Sequence, residues 1–254
     1  AASQVAELLT RLGHTVQQEH DYETAVTYLE ESLRIYEELD DVPGIATALN
    51  RLGHAALLAG DYERGVALIQ ASLDHRRALG DQRGMAACLN SLGEIARTQD
   101  DVQTAESFYR KCLALCQVLG DKRCMAAVSH NLGHVSHYQG ESDRALSFFK
   151  EALALYSEVG TDEGIALVAA GLASVAAARG RPEDATRLLA AAEAHFEAEQ
   201  ILLEAADRLS WQRAKDQLQD LLDKESFARW WALGSAMTPE EMSTAAHALL
   251  SLLA

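Results

Sequence analysis

The chain has 254 residues, 38 of them acidic against 22 basic, for a formal charge of −16. Such a surface repels phosphate backbones, so no direct nucleic-acid partner is expected. Hydrophobic residues make up 48%, enough to build a sizeable core in one large domain or two small ones, yet no apolar run approaches the roughly 18–20 residues that a membrane span needs. Three prolines and an abundance of Ala, Leu, Glu and Arg favour helices. Cys88, Cys112, Cys116 and Cys124 lack the spacing of a secreted disulfide framework, and no secretory signal precedes them, so a reducing cytoplasm is the expected setting. The first residues, AASQVAELL, are already helical in pattern and carry no initiator Met, which suggests a piece of a longer protein.

Taken in order, the elements repeat. Written in rows of forty residues, the chain aligns Leu12, Leu52, Leu92, Leu132 and Leu172 in one column, and Gly13, Gly53, Gly93, Gly133 and Ala173 in the next. Twelve places on stand Ala25, Gly65, Ala105, Ala145 and Ala185, followed by the bulky column Leu29, Ile69, Tyr109, Phe149 and Leu189. Self-similarity at a fixed period of this size marks a solenoid, because one unit cannot bury its own apolar face. Each row holds two helical stretches, for example 43–59 and 62–79. Between them, AGDYE, LGDQR, LGDKR and QGESD supply a glycine to stop one helix and an acidic or hydroxyl residue to cap the next. The small columns admit close helix approach, and the bulky column fills the space between.

Composition shifts near residue 200, beyond which lie all three tryptophans. Three more helices are predicted at roughly 203–222, 224–234 and 239–252. The last starts with Thr238-Pro239-Glu240-Glu241, a cap, a proline suited to the first turn and a capping-box glutamate. A solenoid needs an atypical end to cover its last apolar face. The predicted organisation is therefore a solenoid over 1–199 and capping helices over 200–254.

The Leu-Gly pair, the small residue twelve places later and the bulky one after it, as in Leu52-Gly53, Gly65 and Ile69, resemble the tetratricopeptide repeat family over about residues 2–199. The period exceeds the family's common 34 residues, and its usual proline near the end of the second helix is absent, which implies longer second helices. The resemblance implies an all-α, right-handed α-α superhelix of about five helix pairs with a helical cap. The ending, RLLAAAEAHFEAE and then AKDQLQDLLDKESFARWWALGSAMTPEEMSTAAHALL, is similar to that of bacterial STAND-type signal-transduction ATPases and related LuxR-type regulators. This second resemblance implies a sensor whose ATPase or effector domain lies upstream, since no phosphate-binding GxxxxGK[ST] pattern occurs here.

Three columns on the first helix of each row are polar. They read His14, His54, Glu94, His134, Ser174; Thr10, Asn50, Asn90, His130, Ala170; and Gln17, Leu57, Arg97, His137, Ala177. In tetratricopeptide arrays such positions line the concave, partner-holding groove. The expected ligand-binding residues are thus His14, Asn50, His54, Asn90, Glu94, Arg97, His130, His134, His137 and Tyr138. An asparagine can hold a peptide amide through both donor and acceptor, which makes a peptide-pheromone receptor the alternative. Two other readings stand beside the groove. One is a solvated polar face without a ligand. The distant one is a metal shared by His130, His134 and a third ligand at Glu94, with His137 too far along the helix to join. Three histidines also permit pH sensing. Cys112 falls in a column with Ser32, Ser72 and Ala152, where a small packed residue is wanted, so Cys112 and Cys116 read as core thiols. Trp230 and Trp231 point about 100° apart on a helix, one toward the core of the tail and one available as an interface. No catalytic residue, cofactor or metal is assigned, and no GxSxG nucleophile pattern occurs.

Overall fold

A computed structural model describes residues 2–18 and 21–253. Among the described residues it contains thirteen α-helices and no strand. Five consecutive pairs are α1 (Ala2–Gln18) with α2 (Tyr22–Glu38), α3 (Val42–Leu58) with α4 (Tyr62–Leu79), α5 (Gln82–Thr98) with α6 (Val102–Leu119), α7 (Lys122–Tyr138) with α8 (Ser142–Val159), and α9 (Asp162–Ala178) with α10 (Pro182–Ala198). Three further helices follow: α11 (Ala205–Leu221), α12 (Lys224–Ser235) and α13 (Pro239–Leu253). The all-helical, paired arrangement is that of an α-solenoid. The chain divides into two compact units, Ala1–Ile95 and Ala96–Ala254, so that α11, α12 and α13 share the second unit with α6 to α10.

The turns obey one rule. From residue 40 to residue 200, residues with positive φ stand at twenty-residue spacing: Gly60, Gly80, Gly120, Gly140, Gly160 and Gly180, with Asp40, Asp100 and Gln200 in the same register. Aspartate then starts the next helix. Asp21, Asp41, Asp61, Asp81, Asp101 and Asp121 each accept from the backbone N–H three residues on, satisfying an amide that the helix start leaves unbonded. Glu141, Thr161 and Arg181, which start α8, α9 and α10, make no such side-chain bond.

Within the first unit, the helices of a pair meet through the small columns. A Cβ on Gly53 would stand 2.6 Å from Ile69 Cγ1 and 3.0 Å from the Gly65 carbonyl. A Cβ on Gly13 would meet Leu29 at 2.7 Å. The bulky residue sixteen places on therefore occupies the space that glycine leaves. Ser32 Oγ donates to the Ala6 carbonyl at 2.7 Å, and Ser72 Oγ repeats the bond to Ala46 at 2.6 Å. These serines clamp each second helix to its first, and the hydroxyl is satisfied inside the core.

The second unit has a larger core in which Phe149, Leu153, Leu172, Leu188, Leu189 and Leu218 are fully or almost fully buried. Row five turns apolar for a visible reason: α9 is buried on almost every side, with α8 and α10 against it and α11 and α13 also in contact. Helix α13 contributes Met242, Ala246, Leu249, Leu250 and Leu253 to that core. Its start is the reciprocal box foreseen from the sequence, with the Thr238 N–H bonded to Glu241 at 2.9 Å and the Glu241 N–H to Thr238 Oγ1 at 3.2 Å.

Candidate functional site

The polar columns lie on α1, α3, α5 and α7, and the two units treat them differently. In the first unit, His14, Asn50, His54, Asn90 and Glu94 are all half-buried. His54 Nε2 pairs with Ser91 Oγ at 2.8 Å, Asn90 Nδ2 donates to Glu94 Oε1 at 2.7 Å, and Asn50 Oδ1 accepts from the Cys88 thiol at 3.5 Å. Burial, and then the Arg51 charge, lower the His14 imidazole and push that of His54 down to about 4. The groups form a row of amides, neutral imidazoles and one carboxylate, suited to hydrogen bonding with a peptide backbone.

The His54 shift has a testable sign. The folded chain keeps this imidazole neutral, while the unfolded chain takes up a proton near the usual value of 6.5. The stability it confers is complete above about pH 6.5 and declines as pH falls toward about 4. Thermal melts at pH 7.5 and pH 5 are expected to show a larger drop in the native chain than in His54→Gln. The difference should be about 2–4 °C, on the order of 1 kcal/mol after solvent screening. Equal drops would remove His54 from the pH dependence.

In the second unit the corresponding wall is covered by the chain itself. Arg97, His130 and His134 are each only 3% exposed, because α11 lies against them. The Asp207 carboxylate of α11 accepts from Arg97 Nη2 at 2.5 Å and faces His130 Nε2 at 3.4 Å. Ser210 Oγ accepts from Tyr138 at 2.6 Å and from Arg97 Nη1 at 3.2 Å, and donates to the Ala206 carbonyl at 2.8 Å. Arg97 also reaches Asn131 Oδ1 at 3.3 Å. One turn further, Arg213 lies over the Tyr138 ring at 5.6 Å and holds both oxygens of Asp100 at 2.8 and 2.9 Å. The side of α11 that is turned inward carries Ala206, Ser210, Ala214 and Leu218, three small residues that let the helix come close. Sequence reasoning has this wall facing a ligand; the structure has it facing α11. Asp207, Ser210 and Arg213, absent from the predicted set, are its partners.

Electrostatics fit this placement. Burial alone would raise the Asp207 carboxyl, but the Arg97 charge and the His130 hydrogen bond outweigh it and hold the group well below the usual carboxylate range. Burial lowers His134 strongly, with His130 and Arg97 adding to the effect, and burial also lowers His137. The His130 and His134 rings meet edge to face at 4.7 Å, and Phe149 closes on His134 at 5.4 Å. His137 sits beside Tyr138 at 5.8 Å, its Nδ1 buried without a hydrogen-bond partner.

One ligand atom each from His130, His134 and Asp207 lies within 4.8 Å of the others, beside a cavity of about 10 Å³ also lined by Leu167, Phe196 and Trp211. The third group brought to the imidazoles is thus Asp207, whereas Glu94, named from the sequence, is bonded to Asn90 in the first unit. A cation here would compete with the Arg97 guanidinium for the carboxylate, so the set reads first as a buried ion pair flanked by imidazoles.

Trp230 and Trp231 are both half-buried. Trp231 stacks on Phe227 at 5.2 Å, carries Lys215 at 4.4 Å over its ring, and borders an open hollow of about 520 Å³ with Glu193, Glu197 and Ser235. Trp230 lies between Arg187 and Arg229, at 6.0 and 5.1 Å.

Comparison with known proteins agrees with the fold. The family model described as tetratricopeptide repeat matches residues 4–64, 44–117 and 124–208. The chain belongs to the tetratricopeptide repeat family. No curated protein matches it by sequence. Among solved structures, BtubC (BKLC) from P. vanneervenii shares 21% identity at a TM-score of 0.66, over 80% of this chain and 84% of that one. A Rap protein complexed with Competence and Sporulation Factor shares 14% at 0.63, over 91% and 66%. The STAND protein with a tetratricopeptide repeat sensor, PH0952 from Pyrococcus horikoshii, shares 15% at 0.64, over 100% of this chain and 39% of that one. At these identities the likeness is one of fold. No helix among the described residues is long and apolar enough to cross a membrane.

Proposed function

We propose that the chain is a non-catalytic recognition module that binds a peptide or protein segment on the first-helix face of its first unit, through Asn50, His54, Asn90, Glu94 and His14. The observation that carries this reading is the contrast between the two walls: the first unit's polar row stays partly accessible, while the counterpart residues Arg97, His130 and His134 are covered by α11. Family membership supports a protein- or peptide-binding scaffold. The likeness to the STAND sensor, together with the similar ending, supports a place downstream of an ATPase in a cytoplasmic bacterial signalling or transcription-regulating protein. There, a ligand that prefers one arrangement of the sensor biases the ATPase between resting and active states.

Screening the full chain against a displayed peptide library, then measuring the recovered peptide calorimetrically, tests the site. Asn50→Ala and Asn90→Ala are each expected to weaken binding about tenfold, which is about 1.4 kcal/mol. Unchanged affinity in both folded variants would remove the ligand from this face. The second reading, a peptide-pheromone receptor, is favoured by the likeness to a Rap protein with a bound signalling factor. A helix-turn-helix in the preceding reading frame would select it; a phosphate-binding ATPase would select the first.

A further inference from the structure

We propose that Cys112, Cys116 and Cys124 form, in the reduced chain, a thiolate site for one soft d10 metal ion such as cuprous or zinc. Their three sulfurs lie within 4.8 Å of one another, and those of Cys112 and Cys116 are 3.9 Å apart. Three thiolates around one such ion, each at about 2.3 Å, stand roughly 3.8–4.0 Å from one another. Cys112 and Cys116 share one face of α6, a turn apart, and Cys124 comes from the first turn of α7. Cys116 and Cys124 are joined in the structure, with a Cα–Cα distance of 5.7 Å, which corrects the sequence reading of Cys116 as a plain core thiol.

The register shows that this pairing is not generic packing. Eight residues separate Cys116 from Cys124, and the same step elsewhere joins Tyr36 to Gly44, Arg76 to Gly84 and Tyr156 to Gly164. In those rows the large side chain fills the place of the missing glycine Cβ, so any Cβ there would overlap it. Only in this row are both members replaced together, a long side chain by a thiol and a glycine by a second thiol. A disulfide would need only these two. Cys112 is the third sulfur, in a column that serine and alanine fill elsewhere.

The surroundings favour soft-metal chemistry. Thiolate ligands select d10 ions over hard cations. Cys112 and Cys116 are fully buried, while Cys124 is half-buried and gives an approach from solvent. The Cys124 N–H is bonded to Asp121 in the first turn of a 17-residue helix, where the helix dipole favours a thiolate. Opening the Cys116–Cys124 bond takes two electrons and two protons from a dithiol, which leaves as its own disulfide. Metal binding then releases the thiol protons.

The test uses the full chain, reduced with a phosphine, freed of reductant without air and titrated with cadmium as the probe. One equivalent is expected to develop the ultraviolet charge-transfer band of thiolate-bound cadmium, and the oxidised chain is expected to develop none. Cys112→Ala installs the residue found at position 152, and Cys116→Tyr with Cys124→Gly restores the pair found at positions 36 and 44. Both variants are expected to keep their helical circular dichroism and lose the one-equivalent band, while Cys88→Ser keeps it. No stoichiometric band in the reduced chain, or a band that persists in the folded Cys116→Tyr/Cys124→Gly variant, would overturn the proposal.

Discussion

Asp207→Ala is expected to destabilise the second unit by about 3–5 kcal/mol, since removing one member of a buried ion pair strands the other charge. Arg97, 3% exposed, would keep its bonds to Ser210 and Asn131 but lose its only anion among the described contacts. Because Asp207 ties α11 to the wall alongside Ser210 and Arg213, amide hydrogen exchange over residues 205–221 should rise more than over α8 or α9. The pair also sets an acid limit. Asp207 titrates below its usual value of 3.8, so the stability it confers is complete above about pH 4 and is lost as pH falls through the lower, folded-state value. Replacing both partners, with Arg97→Met and Asp207→Leu, should recover most of the loss, because apolar residues of similar volume need no compensation. Denaturant melts of the single and double variants check all of this. A single-variant loss below about 1 kcal/mol would mean that water reaches the guanidinium once Asp207 is gone.

Phe149→Ala is the second large effect, again about 3–5 kcal/mol, the range for emptying a buried aromatic site. Phe149 is fully buried, and its ring occupies the space beside two glycines at once: a Cβ on Gly133 would meet it at 2.6 Å and one on Gly171 at 2.5 Å. Glycine backbones cannot extend a side chain into the void, so the site collapses poorly. The ring also closes on His134 at 5.4 Å and His130 at 6.0 Å, and its loss should therefore loosen both imidazoles. Phe149→Leu, which refills most of the volume, is expected to cost clearly less. Similar losses for the two variants in urea denaturation would contradict the cavity argument.

The repeat made much of this readable in advance. A column that recurs every forty residues reports a packing need that recurs, so the Gly53–Ile69 and Gly133–Phe149 contacts were visible as columns before any coordinates. Helix limits were equally plain, 43–59 expected against Val42–Leu58 observed, because each turn carries its own stop and cap. The Thr238–Glu241 box marked the last helix for the same local reason. The covering of the second wall was not legible. Asp207 meets Arg97 across 110 residues and occurs once, so no column exposes it. Periodicity shows which face of a helix is special, but not what lies on that face. The weak sign was Ala206, Ser210 and Ala214, a stripe of small residues at four-residue spacing. The cysteines are hidden for another reason: no single column shows the exchange of a Tyr–Gly pair for two thiols, which spans columns eight apart.

The twenty-residue spacing of the left-handed turn residues carries a consequence for how such a chain can change length. From residue 40 to residue 180 the joints between successive helices hold a left-handed residue at the same register, whether they fall inside a pair or between pairs. An in-frame duplication or loss of a forty-residue block would therefore rejoin ends of matching geometry, with no new corner to invent. Selection acting on such a gene could lengthen or shorten the array by whole blocks while leaving the terminal helices to seal whatever block came last.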